Sequence, residues 1–347
     1  MRVLITGAAG FLGLHLTNFF QKKGLGLVLF DLAEFDEKEY PKQIKKIKAD
    51  IRDKKAVAKA MQGVDIAIHA AAALPLWKKE DIFQVNVLGT KNLLEAAIKN
   101  KIEHFVYISS TAVYGVPKKH PVVESDPLIG VGPYGESKIQ AEKLCEEFRK
   151  KGMIITILRP KTFLGTHRLG VFEILFDWIK DGKKIPVVGS GKNRYQLLDV
   201  DDLVEVIYRI VLSSKKKEVN NTFNIGAEKF GTVKSDLEEL FRYANSGSKI
   251  LPTPAWLVKK TLFVLEKMRL SPLYQWVYET ADKDSFVSID RLVKRLNWQP
   301  KYSNSQALIK AYRWYLDNYD QIKAKTPGIT HTVGWNQGIL GFFKKLL

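Results

Sequence analysis

Cysteine is nearly absent from this sequence, and long apolar runs are missing. With one cysteine, Cys145, among 347 residues, an intramolecular disulfide and a cysteine-ligated zinc cluster are both excluded. The six histidines show no metal-ligand spacing, so we expect no metal site. No apolar run reaches the roughly 18 residues that a membrane-spanning helix needs. Residues 1–6 run directly into a strand-like segment without room for a signal peptide, so we expect a soluble, cytoplasmic protein.

Acidic residues are also in short supply. The chain carries 37 Asp and Glu against 55 Lys and Arg, which gives a net charge of +18. Such a field attracts polyanions, including nucleotides, nucleic acids and anionic lipids, although a solvated lysine-rich surface is the simpler explanation. No zinc-finger, helix-turn-helix or aromatic RNA-binding signature accompanies the charge, and we therefore expect no specific nucleic-acid partner.

Short apolar runs alternate with longer segments of helical periodicity through the first 160 residues. Strands rich in Val and Ile, separated by amphipathic helices, are typical of right-handed βαβ units, so we predict an α/β fold with a doubly wound parallel sheet. Gly24 falls where the first helix should end, as a left-handed cap residue would. The predicted strands are residues 3–6, 27–31, 44–49, 65–70, 104–109 and 154–159, and the predicted helices are 12–23, 54–61, 82–99 and 134–150.

The second half of the chain is less regular. We expect a smaller, mixed substrate-binding domain over residues 161–330, with late elements near 197–226 returning to the first sheet. A basic and apolar tail follows at 331–347. The predicted elements are helices at 172–180, 203–212, 236–243 and 305–319 and a strand at 222–225.

A glycine-rich turn connects the first predicted strand to the first predicted helix. Glycines there permit a tight turn and a close approach of the backbone to a pyrophosphate, and the helix N-terminus offers N–H groups to the phosphates. Asp31 ends the second strand, where a carboxylate accepts hydrogen bonds from the adenosine ribose and repels a 2′-phosphate, which favours NAD over NADP. We therefore predict a Rossmann-type NAD-binding domain over residues 1–160. The predicted cofactor contacts of the turn are Gly7, Ala9, Gly10, Phe11, Leu12 and Gly13.

Two further residues follow the third predicted strand. Asp50 and Ile51 could flank the adenine of the dinucleotide, and an ordinary helix cap is the alternative for this position.

Tyr134 and Lys138 lie four residues apart at the start of a predicted helix, and hence on one face. A phenol titrates near pH 10 in water, so we expect the lysine and a positively charged nicotinamide to lower the pKa of Tyr134. The spacing alone also occurs in surface pairs. Here it follows the dinucleotide pattern and is preceded by Ser109-Ser110-Thr111 at a strand end, so we predict an acid–base site.

Several further motifs occur along the chain, each at one position. They are His69-Ala70-Ala71-Ala72, Asn86-Val87-Leu88-Gly89-Thr90-Lys91-Asn92-Leu93-Leu94, Ser109-Ser110-Thr111-Ala112-Val113-Tyr114-Gly115, Tyr134-x-x-x-Lys138, Arg159-Pro160 and Val200-Asp201-Asp202-Leu203. With the glycine pattern, they resemble the extended short-chain dehydrogenase/reductase superfamily, in its NAD-dependent epimerase/dehydratase group, over residues 1 to 320.

This resemblance implies roles for individual residues. Tyr134 would be the general acid/base, and Lys138 would bind the nicotinamide ribose while tuning Tyr134. Ser110 would hold the substrate oxygen, with Ser109 as the alternative. Asn86 would line the cofactor side of the pocket or pack a helix. The other residues expected at the cofactor are Ala70, Ala71, Ala72, Arg159 and Pro160.

The sequence departs from the family pattern where substrates are selected. Family dehydratases place an Asp-Glu pair after the catalytic Ser/Thr, and here Thr111 and Ala112 argue against 4,6-dehydration. Nucleotide-sugar members often carry an arginine at the position of Tyr195, although Arg194 is adjacent. The expected substrate contacts are therefore Ser110, Thr111 and Tyr195.

An apolar stretch follows, similar to the 3β-hydroxysteroid dehydrogenase and dihydroflavonol-reductase side of the superfamily. It favours a dehydrogenase or reductase of hydrophobic or acyl-type alcohols, unless these side chains simply fill a core. A nucleotide-sugar epimerase with transient oxidation by bound NAD is the alternative, and a non-catalytic NAD-sensing protein is a third, against which the intact Ser-Tyr-Lys set argues. The stretch comprises Trp256, Leu257, Leu262, Phe263, Leu265, Leu273, Trp276 and Val277.

The last ten residues mix Phe, Leu and Lys. They could dock on an anionic membrane surface, pack on the body of the protein or meet a second subunit. Family members often dimerise through helices that flank the sheet, so we expect a homodimer by analogy.

Overall fold

The computed structural model describes residues 1–75, 77–167, 169–268, 275–324 and 344. Its strands are β1 (Arg2–Thr6), β2 (Gly26–Asp31), β3 (Lys45–Lys48), β4 (Ile66–His69), β5 (His104–Ile108), β6 (Ile155–Pro160), β7 (Phe163–Leu164), β8 (Ile185–Val188), β9 (Leu198–Asp199), β10 (Thr222–Ile225) and β11 (Ile250–Thr253). Its helices are α1 (Phe11–Lys22), α2 (Lys54–Ala60), α3 (Lys79–Phe83), α4 (Thr90–Lys99), α5 (Gly132–Lys150), α6 (Val171–Lys180), α7 (Val200–Leu212), α8 (Lys216–Val219), α9 (Val233–Ala244), α10 (Ala255–Lys267), α11 (Gln275–Thr280), α12 (Asp290–Leu296), α13 (Asn304–Asp317) and α14 (Tyr319–Lys323).

Seven strands form one parallel sheet in the order β3-β2-β1-β4-β5-β6-β10. Successive side chains of a strand point to opposite faces, and the central strand β1 is buried on both. Val3 and Ile5 pack in a core with α1 and α7, whereas Leu4 packs in a second core with α2, α4 and α5. Helices therefore cover both faces of the sheet, and the predicted doubly wound α/β fold is confirmed.

The predicted strands of the first half lie within one residue of the observed strands at each end. The strand at 222–225 is β10, which pairs in parallel with β6, so this late element returns to the sheet as predicted. One predicted helix, 82–99, is divided: α3 is followed by a π-helical segment, Gln84–Gly89, and then by α4. A widened turn of this kind inside a helix re-aims the side chains within it, here Asn86. Cys145 is fully buried on α5, consistent with a packing role.

The C-terminal half is built from two small parallel sheets, β7 with β9 and β8 with β11, and from helices around them. Its core contains Phe176, Trp178, Leu240, Tyr312 and Tyr315. The strands β7 and β9 escaped prediction because two residues are too few to show an alternating pattern.

The apolar stretch predicted as core or pocket is divided between exposed and covered side chains. It forms α10 and α11, and on α10 the side chains of Trp256, Leu257 and Phe263 are exposed, Trp256 by 72%. Leu262 of the same helix is buried, and Val277 of α11 lines a cavity described below. Leu273 and the side chain of Trp276 lie outside the described residues.

Most of the predicted tail lies outside the described residues as well. Its one described residue, Lys344, forms ion pairs with Asp177 and Asp181 on and just after α6. None of the helices within the described ranges is long and apolar enough to cross a membrane.

Candidate active site

The turn between β1 and α1 packs so closely that its glycines have no room for side chains. Gly7 has a φ of +71°, and a Cβ built on it would lie 2.6 Å from the backbone nitrogen of Ala71. A Cβ on Gly13 would lie 2.3 Å from the carbonyl oxygen of Gly7. The first turn of α1 therefore sits directly against the ends of β1 and β4, with its N–H groups at the carboxyl edge of the sheet, where a dinucleotide pyrophosphate fits.

The carboxylate of Asp31 lies beside this turn at the end of β2. One oxygen accepts a hydrogen bond from the N–H of Ala9 at 2.9 Å, and the other accepts one from the N–H of Ala33, also at 2.9 Å. A carboxylate in this position presents negative charge next to the phosphate-binding turn. The observed residues thus fit an adenosine ribose with a free 2′-hydroxyl, as expected for NAD.

Tyr40 is a contact of the turn that sequence reasoning missed. Its hydroxyl donates to the carbonyl oxygen of Ala8 at 2.8 Å, and the ring is buried. The residue lies in an irregular segment between β2 and β3, and no motif marked it.

Ala70 and Ala71, two of the three alanines predicted to contact the cofactor, lie against the glycine turn. The N–H of Ala70 donates to the carbonyl oxygen of Thr6 at 3.2 Å, and Ala71 is the nearest neighbour of Gly7. Phe11 and Leu12 begin α1, so their predicted contacts with the cofactor would come from their backbone N–H groups, because their side chains point elsewhere. Phe11 lines the larger of two cavities described below, and Leu12 is buried in the core of the sheet.

Asn86 uses its amide to tie elements together. Its Oδ1 accepts from the N–H of Ala73 at 2.8 Å, and its Nδ2 donates to the Ser137 hydroxyl at 3.0 Å. The side chain is 1% exposed, so the structure favours the packing alternative, in which Asn86 fixes the segment after β4 to the catalytic helix.

Asp50 and Ile51 are each engaged within the protein. Burial raises the pKa of the Asp50 carboxyl, but hydrogen bonds from Arg52, with Nη2 at 2.6 Å, outweigh it and lower that pKa. Ile51 packs on Gly89, and a Cβ built on Gly89 would lie 2.5 Å from the Ile51 Cδ1. The cap of α2 is Asp53, which accepts from the N–H groups of its first turn.

Tyr134 and Lys138 come together in the first turns of α5. The Lys138 ammonium donates to the carbonyl oxygen of Ile108 at 2.8 Å and lies 5.9 Å from the centroid of the Tyr134 ring. Its side chain is 3% exposed, and burial lowers its pKa to about 8, against the opposing effect of Glu142. The predicted pairing of phenol and amine at the sheet edge is therefore present.

The protonation of Tyr134 departs from expectation. Burial raises its pKa to about 12, and the hydrogen bond with Ser110 lowers it only in part. The polypeptide alone thus does not produce the lowered pKa that we predicted, because desolvation of a phenolate outweighs the available hydrogen bond.

The two serines after β5 have different partners. Ser110 accepts from the N–H of Ala112 at 3.1 Å, bonds to Tyr134 and lines the cavity, as expected of the group that holds the substrate oxygen. Ser109 instead donates to the Glu142 carboxylate at 2.5 Å. Thr111 is 5% exposed and is not among the described residues that line the cavity, so the structure does not place it at the substrate.

Arg159 was predicted at the cofactor, and the structure places it in a buried polar network instead. Its Nη2 lies 2.6 Å from Glu142 Oε2, and its Nη1 donates to the Tyr114 hydroxyl at 2.7 Å. Pro160, the next residue, does line the catalytic cavity. Sequence reasoning missed Glu142, although its place four residues after Lys138, on the same face of α5, was a usable signal.

Two adjoining cavities open beside these residues. The catalytic cavity, of about 240 Å³, is lined by Ser110, Tyr134 and Lys161 among others. A larger cavity, of about 470 Å³, lies within the C-terminal half and is walled mainly by apolar side chains. The two share four lining residues, Leu74, Pro75, Thr162 and Phe163.

The side chains of Tyr195 and Arg194 lie in different surroundings. Tyr195 lines the larger cavity, as a substrate contact would. The Arg194 guanidinium lies beside the rings of Phe230 and Phe286, 4.6 Å from each centroid. Arg194 is absent from the described lining of both cavities, so it does not replace an arginine at the position of Tyr195.

Comparisons with known proteins agree with this geometry. The family model described as "NAD dependent epimerase/dehydratase family" matches residues 3–226. The uncharacterized protein y4nG of Sinorhizobium fredii is 35% identical over 339 residues, covering 97% of this chain and 84% of that protein. The N-acetyl-alpha-D-glucosaminyl-diphospho-ditrans,octacis-undecaprenol 4-epimerase of Escherichia coli O157:H7 is 32% identical, covering 63% of this chain and 66% of that protein. The crystal structure of UDP-glucose 4-epimerase from Thermotoga maritima with UDP-glucose superposes with a TM-score of 0.77 at 22% identity, covering 92% of this chain and 100% of that chain.

These relatives confirm the epimerase/dehydratase resemblance but not its finer branch. The E. coli and T. maritima relatives are epimerases of sugars linked to a diphosphate, not enzymes of steroids or flavonols. The likeness to 3β-hydroxysteroid dehydrogenase rested on the apolar stretch of α10 and α11, in which the side chains of Trp256, Leu257 and Phe263 are exposed.

Proposed function

Because this chain is an enzyme of the NAD-dependent epimerase/dehydratase family, we propose that it epimerises a nucleotide sugar by transient oxidation of one hydroxyl-bearing carbon. One observation carries the proposal: Ser110 and Tyr134 line one cavity and bond to each other, and the Lys138 ammonium lies 5.9 Å from the Tyr134 ring. That cavity opens onto a second one large enough for the nucleoside end of such a substrate.

The chain's own residues position the substrate and move one proton. Ser110 would hold the reacting hydroxyl, and the Tyr134 oxygen would take its proton and later return it. The glycine turn, Asp31 and Lys138 would hold NAD, which supplies the hydride acceptor and the positive charge of its pyridinium ring. Because the pKa of Tyr134 is about 12 without that charge, the phenol would lose its proton readily only in the loaded site.

Dehydration finds less support than epimerisation. Ala112 lines the cavity where the dehydratase pattern has an acidic residue, and Thr111 is not among the described lining residues. Glu266 of α10 is the acidic side chain in the described lining, and it accepts a hydrogen bond from Tyr278.

The test is to incubate the protein with UDP-glucose, UDP-galactose and their N-acetyl forms and to follow the sugar by proton NMR. We expect a C4 epimer to appear with no net change in NADH absorbance, and the Tyr134→Phe variant to form none. Stoichiometric NADH from a hydrophobic alcohol, with no sugar interconversion, would instead support a dehydrogenase.

A sugar on a polyprenyl diphosphate is a second candidate. The undecaprenol-linked epimerase of E. coli is similar to this chain, and α10 supplies the specific observation. Glu266 of α10 lines the catalytic cavity, while Trp256 and Phe263 of the same helix are exposed, as on a helix that meets a lipid interface. The same NMR assay with a farnesyl-diphosphate-linked N-acetylglucosamine distinguishes the two carriers.

A further inference from the structure

Lys161 is a buried lysine at the carboxyl end of β6. It is 2% exposed, and its ammonium donates to the Ser285 hydroxyl at 2.7 Å. The same nitrogen lies 5.0 Å from the centroid of the Tyr195 ring. Burying a charged ammonium costs free energy unless a partner compensates it, so the groups around Lys161 indicate which kind of ligand it would bind.

The position of Lys161 is the border between the two cavities. Lys161 lines the catalytic cavity, whereas Tyr195, over whose ring its nitrogen lies, lines the larger one. Thr162 and Phe163, the next two residues, line both. A ligand that extends from Tyr134 into the larger cavity therefore has to pass the Lys161 ammonium.

Lys161 is also the one basic side chain in the described lining of the two cavities. The acidic side chains there have partners: Asp236 accepts from Asn304 at 2.8 Å, and Glu266 accepts from Tyr278 at 2.5 Å. An anionic group between the two ends of a ligand would thus find its counter-charge at Lys161.

We propose that the Lys161 ammonium, with the Ser285 hydroxyl, binds the diphosphate that joins the sugar to its carrier. The inference rests on the proposed function only in that both candidate substrates place a diphosphate between the sugar and a nucleoside or lipid. The sugar then lies beside Tyr134, the carrier occupies the larger cavity, and the diphosphate lies at the border.

Binding at this site should depend on pH. Burial lowers the pKa of Lys161 to about 7, so the ammonium is fully charged only below that pH. The groups around it are the Tyr195 ring, the Ser285 hydroxyl, His120, and Tyr134 and Glu266 across the cavity. A bound diphosphate stabilises the charged form and raises this pKa, so affinity should fall by up to about tenfold per pH unit above 7.

The test is calorimetric titration of UDP, farnesyl diphosphate and uridine into the NAD-loaded protein. At pH 7, Lys161→Met should weaken binding of the diphosphate ligand about 10- to 100-fold and leave uridine unaffected. Lys161→Arg should retain binding and lose most of the decline between pH 7 and 9, because arginine stays charged. Lys192→Met, at an exposed lysine, is the matched control and should match wild type. Circular dichroism and NAD binding show that each variant is folded.

The outcomes separate this site from the proposed function. A loss for UDP supports the site with a nucleoside carrier, and a loss for farnesyl diphosphate supports it with a lipid carrier. The proposal is overturned if the wild type binds neither UDP nor farnesyl diphosphate, or if Lys161→Met binds both with normal affinity. It is also overturned if Lys161→Met loses as much affinity for uridine as for the diphosphate ligands. Should Lys161→Met bind UDP normally while wild type still forms the C4 epimer, the diphosphate site is refuted and the epimerase stands.

Discussion

The sheet half and the cavity half of this chain build the active site in different ways. In the sheet half, the functional groups follow strand ends in short runs, such as the glycine turn after β1 and the serines after β5. In the cavity half, the walls come from β8, α6, α9 and α11, which are distant in sequence. The residues for catalysis and cofactor binding therefore lie in short sequence motifs, whereas the substrate cavity depends on how separate elements pack together.

Most elements of the sheet half could be predicted from the sequence, whereas much of the cavity half could not. The strands of the first half follow from periodicity and the pairing of Tyr134 with Lys138 from spacing, whereas the choice of Ser110 followed from the family resemblance. The role of Arg159 was not predicted correctly, because its partner Glu142 lies on a different element, helix α5. The outward orientation of α10 was also missed, since an apolar sequence does not state which of its faces is covered.

The largest effect should come from Tyr134→Phe. The variant lacks the hydroxyl that is proposed to exchange the substrate proton, so turnover should fall by about 10²- to 10⁴-fold or more. NAD affinity should stay close to wild type, which fluorescence titration of the cofactor measures. An active Phe variant would show that another residue is the acid/base.

Glu142→Gln should strongly destabilise the sheet half. It leaves the buried Arg159 guanidinium without its carboxylate, and breaking such a pair costs about 3–5 kcal/mol. Urea unfolding monitored by circular dichroism measures the loss. The matched control is Glu146→Gln, whose pair with Arg149 is more exposed and should change stability by less than about 1 kcal/mol. Equal losses would contradict the assigned importance of the buried network.

Asp31→Ala should affect the cofactor selectively. Removing the carboxylate deletes ribose contacts and the repulsion of a 2′-phosphate, so NAD should weaken about tenfold while NADP weakens less or improves. Dissociation constants for both cofactors test this, and equal weakening would contradict the assignment of Asp31 to the ribose.

Trp256→Ala should change the free energy of unfolding least. The side chain is 72% exposed, so its loss should cost less than about 0.5 kcal/mol. Leu262→Ala on the buried face of the same helix should cost about 2–5 kcal/mol. Thermal unfolding of the two variants compares the faces directly, and a large loss for Trp256→Ala would show that its face is covered.

Helix α5 carries three charged or reactive groups at intervals of one turn: Tyr134, Lys138 and Glu142. The phenol is the proposed acid/base, the amine donates to the carbonyl oxygen of Ile108 at the end of β5, and the carboxylate bonds to Ser109 and Arg159. Because all three share one rigid rod, deleting a single residue between them would swing the following groups by about 100° around its axis. This helix should therefore accept many side chains at its outward positions Glu136, Gln140 and Lys143, and tolerate no change in its length.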